Sequence, residues 1–196
     1  MQFHYAIRMR SPHLELAKTY WRELLRPGDV AIDATCGNGQ DTLFLAKLPL
    51  SSLFALDVQK SAIEKTEELL ALHLDESERK RVSLHWMSHS NLKRVPSLLS
   101  PRLIVYNLGY LPGGDKTATT RTESTLESVA SALEILIPGG AVSATCYPGH
   151  PEGEREEEAL LALAAQLPAD RWRVVHHRWL NRLRSPSFLW IASLHP

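Results

Sequence analysis

Apolar positions recur along this chain in two alternating rhythms. Between residues 11 and 26, Leu14, Ala17, Trp21, Leu24 and Leu25 fall at helical spacing, and Pro27-Gly28 ends the pattern. Short apolar runs at 30–34, 53–56, 82–87, 103–106 and 141–147 then read as five strands. The run at 103–106 is apolar throughout, as suits a strand buried on both faces. Between the strands the spacing predicts helices over 40–48, from Ser61 to about 74, over 124–137 and over 154–167, with a short helix or turn over 91–99. Ser61 with Glu64, and Ser124 with Glu127, have the spacing of capping boxes. Two last strands, about 171–180 and 188–194, are joined by a turn over 181–186 with no room for a helix, so they should pair antiparallel.

Five strand–helix units followed by a hairpin predict an α/β fold: a seven-stranded, mostly parallel sheet with helices on both faces. Ligand then belongs at the carboxyl ends of the strands, near the reversal in strand order. The loops after strands one, four and five lie on that edge.

Composition narrows the class without choosing the chemistry. With 196 residues, 44% hydrophobic and 22% charged, the chain reads as one globular domain: an N-terminal segment and helix over 1–28, then a core over 29–196. No apolar stretch reaches the ~18 residues of a membrane span. Residues 1–10 hold no continuous apolar run, so no signal peptide is expected, and the two cysteines, Cys36 and Cys146, suit a reducing cytoplasm. The 22 basic and 22 acidic residues balance but are unevenly spread. Five glutamates fall between Glu152 and Glu158, whereas five arginines and no acid follow from Arg171 to the end.

Four clusters carry candidate chemistry. The first runs Asp33-Ala34-Thr35-Cys36-Gly37-Asn38-Gly39-Gln40-Asp41-Thr42, between a strand and a helix. Its glycines permit a tight turn and close approach to a ligand, and the following helix offers free N–H groups to a carboxylate. It lacks the third glycine of the dinucleotide fingerprint, so a nicotinamide cofactor fits poorly. The second is Asp57, 18 residues after Gly39 at the end of strand two. It is placed to accept both hydroxyls of a ribose, with Gln59 close by, or to cap the next helix. Ser88 and His89, after strand three, are placed to face an adenine.

The third cluster is the long loop from Asn107 to Arg121, including Tyr110, the run Gly113-Gly114-Asp115 and Lys116. A loop of that length in a compact domain tends to be functional. The Asn107 amide can offer its oxygen to an acceptor amine, the Leu108 carbonyl can take a second amine hydrogen, and Tyr110 can stack on a base. The fourth is Tyr147-Pro148-Gly149-His150-Pro151, where His150 can contact substrate, act as a base or order the loop. No histidine spacing suits a metal, and no Gly-x-Ser-x-Gly elbow is present.

Together these motifs resemble the YtqB family of class I methyltransferases, whose members include the MnmM-type tRNA enzymes. The segments around Gly37, Asn107 and His150 carry the likeness, most specifically the Gly-Gly-Asp-Lys ending at Lys116. Cys36 stands where a small residue such as alanine is usual. The resemblance implies a Rossmann-like methyltransferase fold, S-adenosyl-L-methionine as cofactor and tRNA as partner. It also implies N-methylation of 5-aminomethyl-2-thiouridine at the wobble position. It points to Asn107 and Tyr110 as catalytic, and to Asp33, Gly37, Asn38, Gly39, Gln40, Asp41, Asp57, Gln59, Ser88 and His89 around the cofactor. Lys116, Arg121 and His150 fall to the substrate. An rRNA or small-molecule methyltransferase of the same fold, or a nucleotide-binding module without methyl transfer, are the alternatives. A homodimer is compatible with the sequence.

Overall fold

A computed structural model describes residues 12–95, 100–109, 120–182 and 184–194. The elements run α1 (Pro12–Leu24), β1 (Val30–Asp33), α2 (Gln40–Ala46), β2 (Ser52–Asp57), α3 (Lys60–His73), α4 (Glu76–Arg79) and β3 (Val82–Trp86). A 3-10 segment, His89–Arg94, leads to β4 (Leu103–Asn107), α5 (Thr122–Ile135), β5 (Ala141–Cys146), α6 (Pro151–Ala165), β6 (Trp172–His177) and β7 (Ser187–Ser193). The strands form one sheet in the order β3-β2-β1-β4-β5-β7-β6. β1 to β5 pair in parallel, while β7 runs antiparallel to both β5 and β6. The α/β class and the closing hairpin are as the periodicity predicted.

The period-two alternation of the strands sorts their side chains into two cores. Ile32, Ile104, Tyr106, Val142 and Ala144 face one side, where Val129 and Ala132 of α5 and Leu160 and Ala164 of α6 cover them. Ala31, Leu53, Leu103, Val105 and Ala141 face the other, under Ala17 and Trp21 of α1, Leu45 of α2 and Leu70 of α3. Trp21 fixes α1 to the sheet: its ring is buried and its indole N–H donates to Ser143 Oγ at 2.8 Å. That hydrogen bond answers the one polar demand of a buried tryptophan.

Neither expected capping box forms. α3 starts at Lys60 behind Gln59, and α5 at Thr122 behind Arg121, in each case without a side-chain cap. The preceding chain in both places already belongs to the ligand edge, so the helix begins where that edge ends. The box that does form is Asp75 with Glu78, opening α4. α6 also starts earlier than its apolar pattern suggested. His150 Nδ1 accepts the Gly153 N–H at 3.1 Å, and Pro151 takes the first helical turn, where its missing N–H costs nothing. Gly153 is a packing position rather than a loop residue, since a Cβ there would lie 2.2 Å from the Tyr147 carbonyl oxygen.

Candidate active site

Strand order places one cavity at the switch point, where β1 has β2 on one side and β4 on the other. Its volume is about 830 Å³, within the range of small-molecule and cofactor sites. One end is walled by the turn after β1, the end of β2 and the segment after β3. The other is walled by α1, the end of β4 and the segment after β5.

The first end is built from backbone. Gly39, at φ +78°, lets the chain turn directly into α2, and its Cα lies so close to α3 that a Cβ would meet Thr66 at 2.9 Å. Asp57 ties this turn to β2: one carboxylate oxygen accepts the Gly37 N–H at 3.0 Å, the other the Gln59 N–H at 2.8 Å. A carboxylate offers about four lone-pair sites, so Asp57 keeps acceptor capacity for a ligand. Burial pushes the Asp57 carboxyl up, opposed by those backbone N–H groups. At the far wall, His89 is buried, edge-on to Tyr106, and burial pulls its pKa down to about 4. The ring is therefore neutral at physiological pH, and its Nδ1 has no hydrogen-bond partner among the described residues. Ser88 Oγ lies 2.9 Å from Ser90 Oγ and accepts the Ser90 N–H.

The second end is built from side chains of distant segments. Asn107 ends β4; its N–H donates to Thr35 Oγ1 at 2.7 Å, and its side-chain Nδ2 donates to Asp41 Oδ2 at 3.1 Å. Asp41 Oδ1 has no hydrogen bond among the described residues and faces Lys18 Nζ at 3.7 Å. Burial raises the Asp41 carboxyl, with Lys18 and the Asn107 amide opposing. Tyr147 closes the corner, its hydroxyl 3.5 Å from His13 Nε2 of α1. Burial, with the Asp41 charge, raises the Tyr147 phenol to about 12. Burial also lowers the His13 pKa.

Below this corner the entry to the Asn107 loop is clamped. Gly109 and Thr120 bond reciprocally, with Gly109 N–H to Thr120 Oγ1 at 2.8 Å and Thr120 N–H to the Gly109 carbonyl at 2.9 Å. The Thr120 hydroxyl donates onward to buried Glu156, which also takes the Thr125 hydroxyl. Across the mouth, Glu152 accepts the N–H and hydroxyl of Thr122.

Of the residues expected in the site, Gly37, Asn38, Gln40, Asp41, Asp57, Gln59, Ser88, His89, Asn107, Arg121 and His150 line this cavity. Asp33 and Gly39 do not line it. Asp33 lies beneath the floor, accepting Thr42 Oγ1 at 2.6 Å and the Thr35 N–H at 3.3 Å. Burial, with the charge of Asp41, raises its pKa to about 7. Tyr110 and Lys116 lie outside the described residues. His13 and Lys18 escaped the sequence reading because a polar residue on an amphipathic helix has no signature until packing shows what it faces; Tyr147 enters that reading only as part of the His150 segment. No group of three metal-ligating side chains occurs among the described residues.

A sheet in this order, with a glycine turn after β1 and an acidic end to β2 around one cavity, defines a class I methyltransferase. Residues 53–193 match the family described as "Putative rRNA methylase". The chain is 38% identical over 185 residues to a "tRNA (mnm(5)s(2)U34)-methyltransferase, chloroplastic" of Arabidopsis thaliana, covering 90% of this chain and 68% of the relative. Among solved structures, the "putative rRNA-methylase" of Clostridium thermocellum superposes with a TM-score of 0.86 at 31% identity, covering 93% of this chain and 97% of that one. A Streptococcus mutans "putative methyltransferase", solved in complex with SAH, gives 0.83 at 31%, covering 93% and 98%. The chain belongs to this methyltransferase family, the one its motifs resemble.

Proposed function

We propose that this protein N-methylates the aminomethyl group of 5-aminomethyl-2-thiouridine at the tRNA wobble position, with S-adenosylmethionine as methyl donor. The observation that carries the reading is the Asn107 amide, oriented by Asp41 at the end of β4 and facing one cavity with Asp57 and His89. The likeness to the Arabidopsis enzyme, over 90% of this chain, supports the substrate.

The wall residues fit this cofactor. Asp57 keeps acceptor capacity for a ribose hydroxyl, and neutral His89 has a buried ring nitrogen, unpartnered among the described residues, for an adenine. Asp41 Oδ1 and Lys18 Nζ, 3.7 Å apart, present a negative and a positive group to the ammonium and carboxylate of a methionine. When bound, the cofactor supplies an electrophilic methyl carbon on a sulfonium.

The chain's task is then to hold a neutral amine in line with that carbon. An aliphatic amine has a pKa near ~10, judged from lysine, and its ammonium form cannot attack. Two features favour the neutral form. The Asn107 corner is partly buried, and Lys18 stands beside Asp41 there, so that carboxylate is balanced rather than left to retain an ammonium. Asn107 commits its NH₂ to Asp41, which leaves its carbonyl oxygen to accept an amine hydrogen and aim the nitrogen lone pair. Positioning of this kind supplies much of the rate in a displacement between two bound partners.

Nucleoside mass spectrometry tests the reading. tRNA from cells lacking this protein should accumulate 5-aminomethyl-2-thiouridine, and purified protein with S-adenosylmethionine should convert it in vitro. An unchanged nucleoside profile, or no conversion, overturns it.

A further inference from the structure

The turn between β6 and β7 lies on the ligand edge, because Ser187 at its end pairs with Cys146 at the end of β5. Two of its residues, Arg184 and Pro186, line the cavity. Residues 178–182 face solvent, and they make an unusual surface. Trp179 is 42% exposed and Leu180 90% exposed, between the exposed arginines Arg178 and Arg182. The turn is anchored from below, where His177 stacks on Phe188 and its Nε2 meets the Tyr20 hydroxyl at 2.8 Å.

Charge distinguishes this surface from a solvated hairpin. From Arg171 onward there are five arginines and no acid. Arg178 shares the field of Glu157, but among the described residues Arg182 and Arg184 enter no ion pair. The glutamates of α6 nearest the turn are engaged elsewhere. Glu157 accepts the Ser187 hydroxyl and faces His176, and Glu152 holds Thr122 and Arg155. An exposed indole beside guanidinium groups outside any ion pair suits a ligand with both π-faces and phosphates, which describes single-stranded nucleic acid.

Reach supplies the second argument, and it rests on the proposed RNA substrate. Asn107 sits at the cavity floor, where no base within a stack can reach it, so the acceptor nucleotide must enter unstacked. Its neighbours then lie at the rim, having lost their own stacking partner. We propose that Trp179 is the platform on which one of these neighbouring loop bases stacks, with Arg182 and Arg184 on the adjoining phosphates.

Stacking and charge leave different signatures, so binding of a tRNA anticodon stem-loop should be measured against salt. Trp179→Ala should weaken binding about ten- to hundredfold with the salt slope unchanged, and Trp179→Phe should retain most of the affinity. Arg182→Ala with Arg184→Ala should flatten the slope by ~0.7 for each phosphate that no longer meets an arginine. Trp86→Ala, an exposed tryptophan at the opposite sheet edge, should bind as wild type, and a blunt RNA duplex should not distinguish Trp179→Ala from wild type. Calorimetry with SAH checks that each variant keeps its cofactor site. Wild-type stem-loop affinity in Trp179→Ala overturns the platform. So does a dimer in sedimentation that this variant converts to monomer, which would make the turn an interface between copies. If wild type binds no stem-loop at any salt, the RNA substrate itself is wrong, a failure separate from an unaffected variant.

Discussion

The two ends of the cavity are made differently. The end at β1 and β2 is short-range: Gly37, Gly39 and Asp57 lie within 21 residues, and the bonds joining them are largely backbone N–H to carboxylate. The end at β4 and β5 is long-range. Its Asn107–Asp41 bond spans 66 residues, its Tyr147–His13 contact 134, and Lys18 arrives on a helix preceding the sheet. The first end holds a shape common to many nucleoside sites. The second holds Asn107, proposed to orient the acceptor, beside the Asp41–Lys18 pair proposed for the methionine. Damage at the first end should therefore appear in binding or stability, and loss of Asn107 in turnover.

The largest effect should come from Asn107→Ala. Loss of the amide proposed to aim the amine should lower kcat about a hundredfold or more, with SAH affinity by calorimetry within about twofold of wild type. Equal losses in SAH affinity and kcat would erase the division between the ends. Asp57→Ala should do the reverse. It removes a charged acceptor of two N–H bonds with capacity for a ligand, so SAH affinity should fall by ~1.5–3 kcal/mol, with turnover largely recovered at saturating cofactor.

Gly39→Ala tests the turn itself. The left-handed conformation costs an alanine ~1–2 kcal/mol, and its Cβ would press on Thr66 at 2.9 Å. A stability loss of about 1–3 kcal/mol in urea unfolding is expected, together with weaker SAH binding. Unchanged stability would mean that the close approach to α3 relaxes freely.

A last effect concerns pH. Asp33 has its pKa raised to about 7 by burial and by Asp41, so the folded state holds this proton more tightly than the unfolded chain, where the pKa is near 3.8. Its contribution to stability is therefore present in acid and is lost as pH rises from about 4 towards 7, at no more than ~1.4 kcal/mol per pH unit. Asp33→Asn should remove that component. Urea midpoints at about pH 5 and about pH 7.5, on either side of that folded-state value, should differ less in the variant. Equal pH dependence in both proteins would show that Asp33 does not titrate in this window.

Much of the cofactor end was legible in the amino-acid order. The strand–turn–helix around Gly37 and the acid ending β2 are contiguous features, and periodicity alone placed them on the ligand edge. Packing added what the order of residues did not show. Asp33 sits in the motif yet turns under the floor, because alternation along β1 sends neighbouring side chains to opposite faces of the sheet. The capping boxes at Ser61 and Ser124 had the correct spacing, but a four-residue pattern does not reveal that the preceding chain is held at a cavity wall.

The sequence by itself determined the alternation of strands and helices, the antiparallel hairpin, the glycine turn and the residue types at each strand end. These depend on local conformational preference and on the periodicity of burial, both of which act over a few residues. Only the tertiary structure decided the order β3-β2-β1-β4-β5-β7-β6 and the meeting of Lys18 and His13 with Asp41, Asn107 and Tyr147. Which strands become neighbours depends on how whole faces bury against one another. A lysine on α1 meets Asp41 at the cavity wall because Trp21, one turn along, is buried against Ser143.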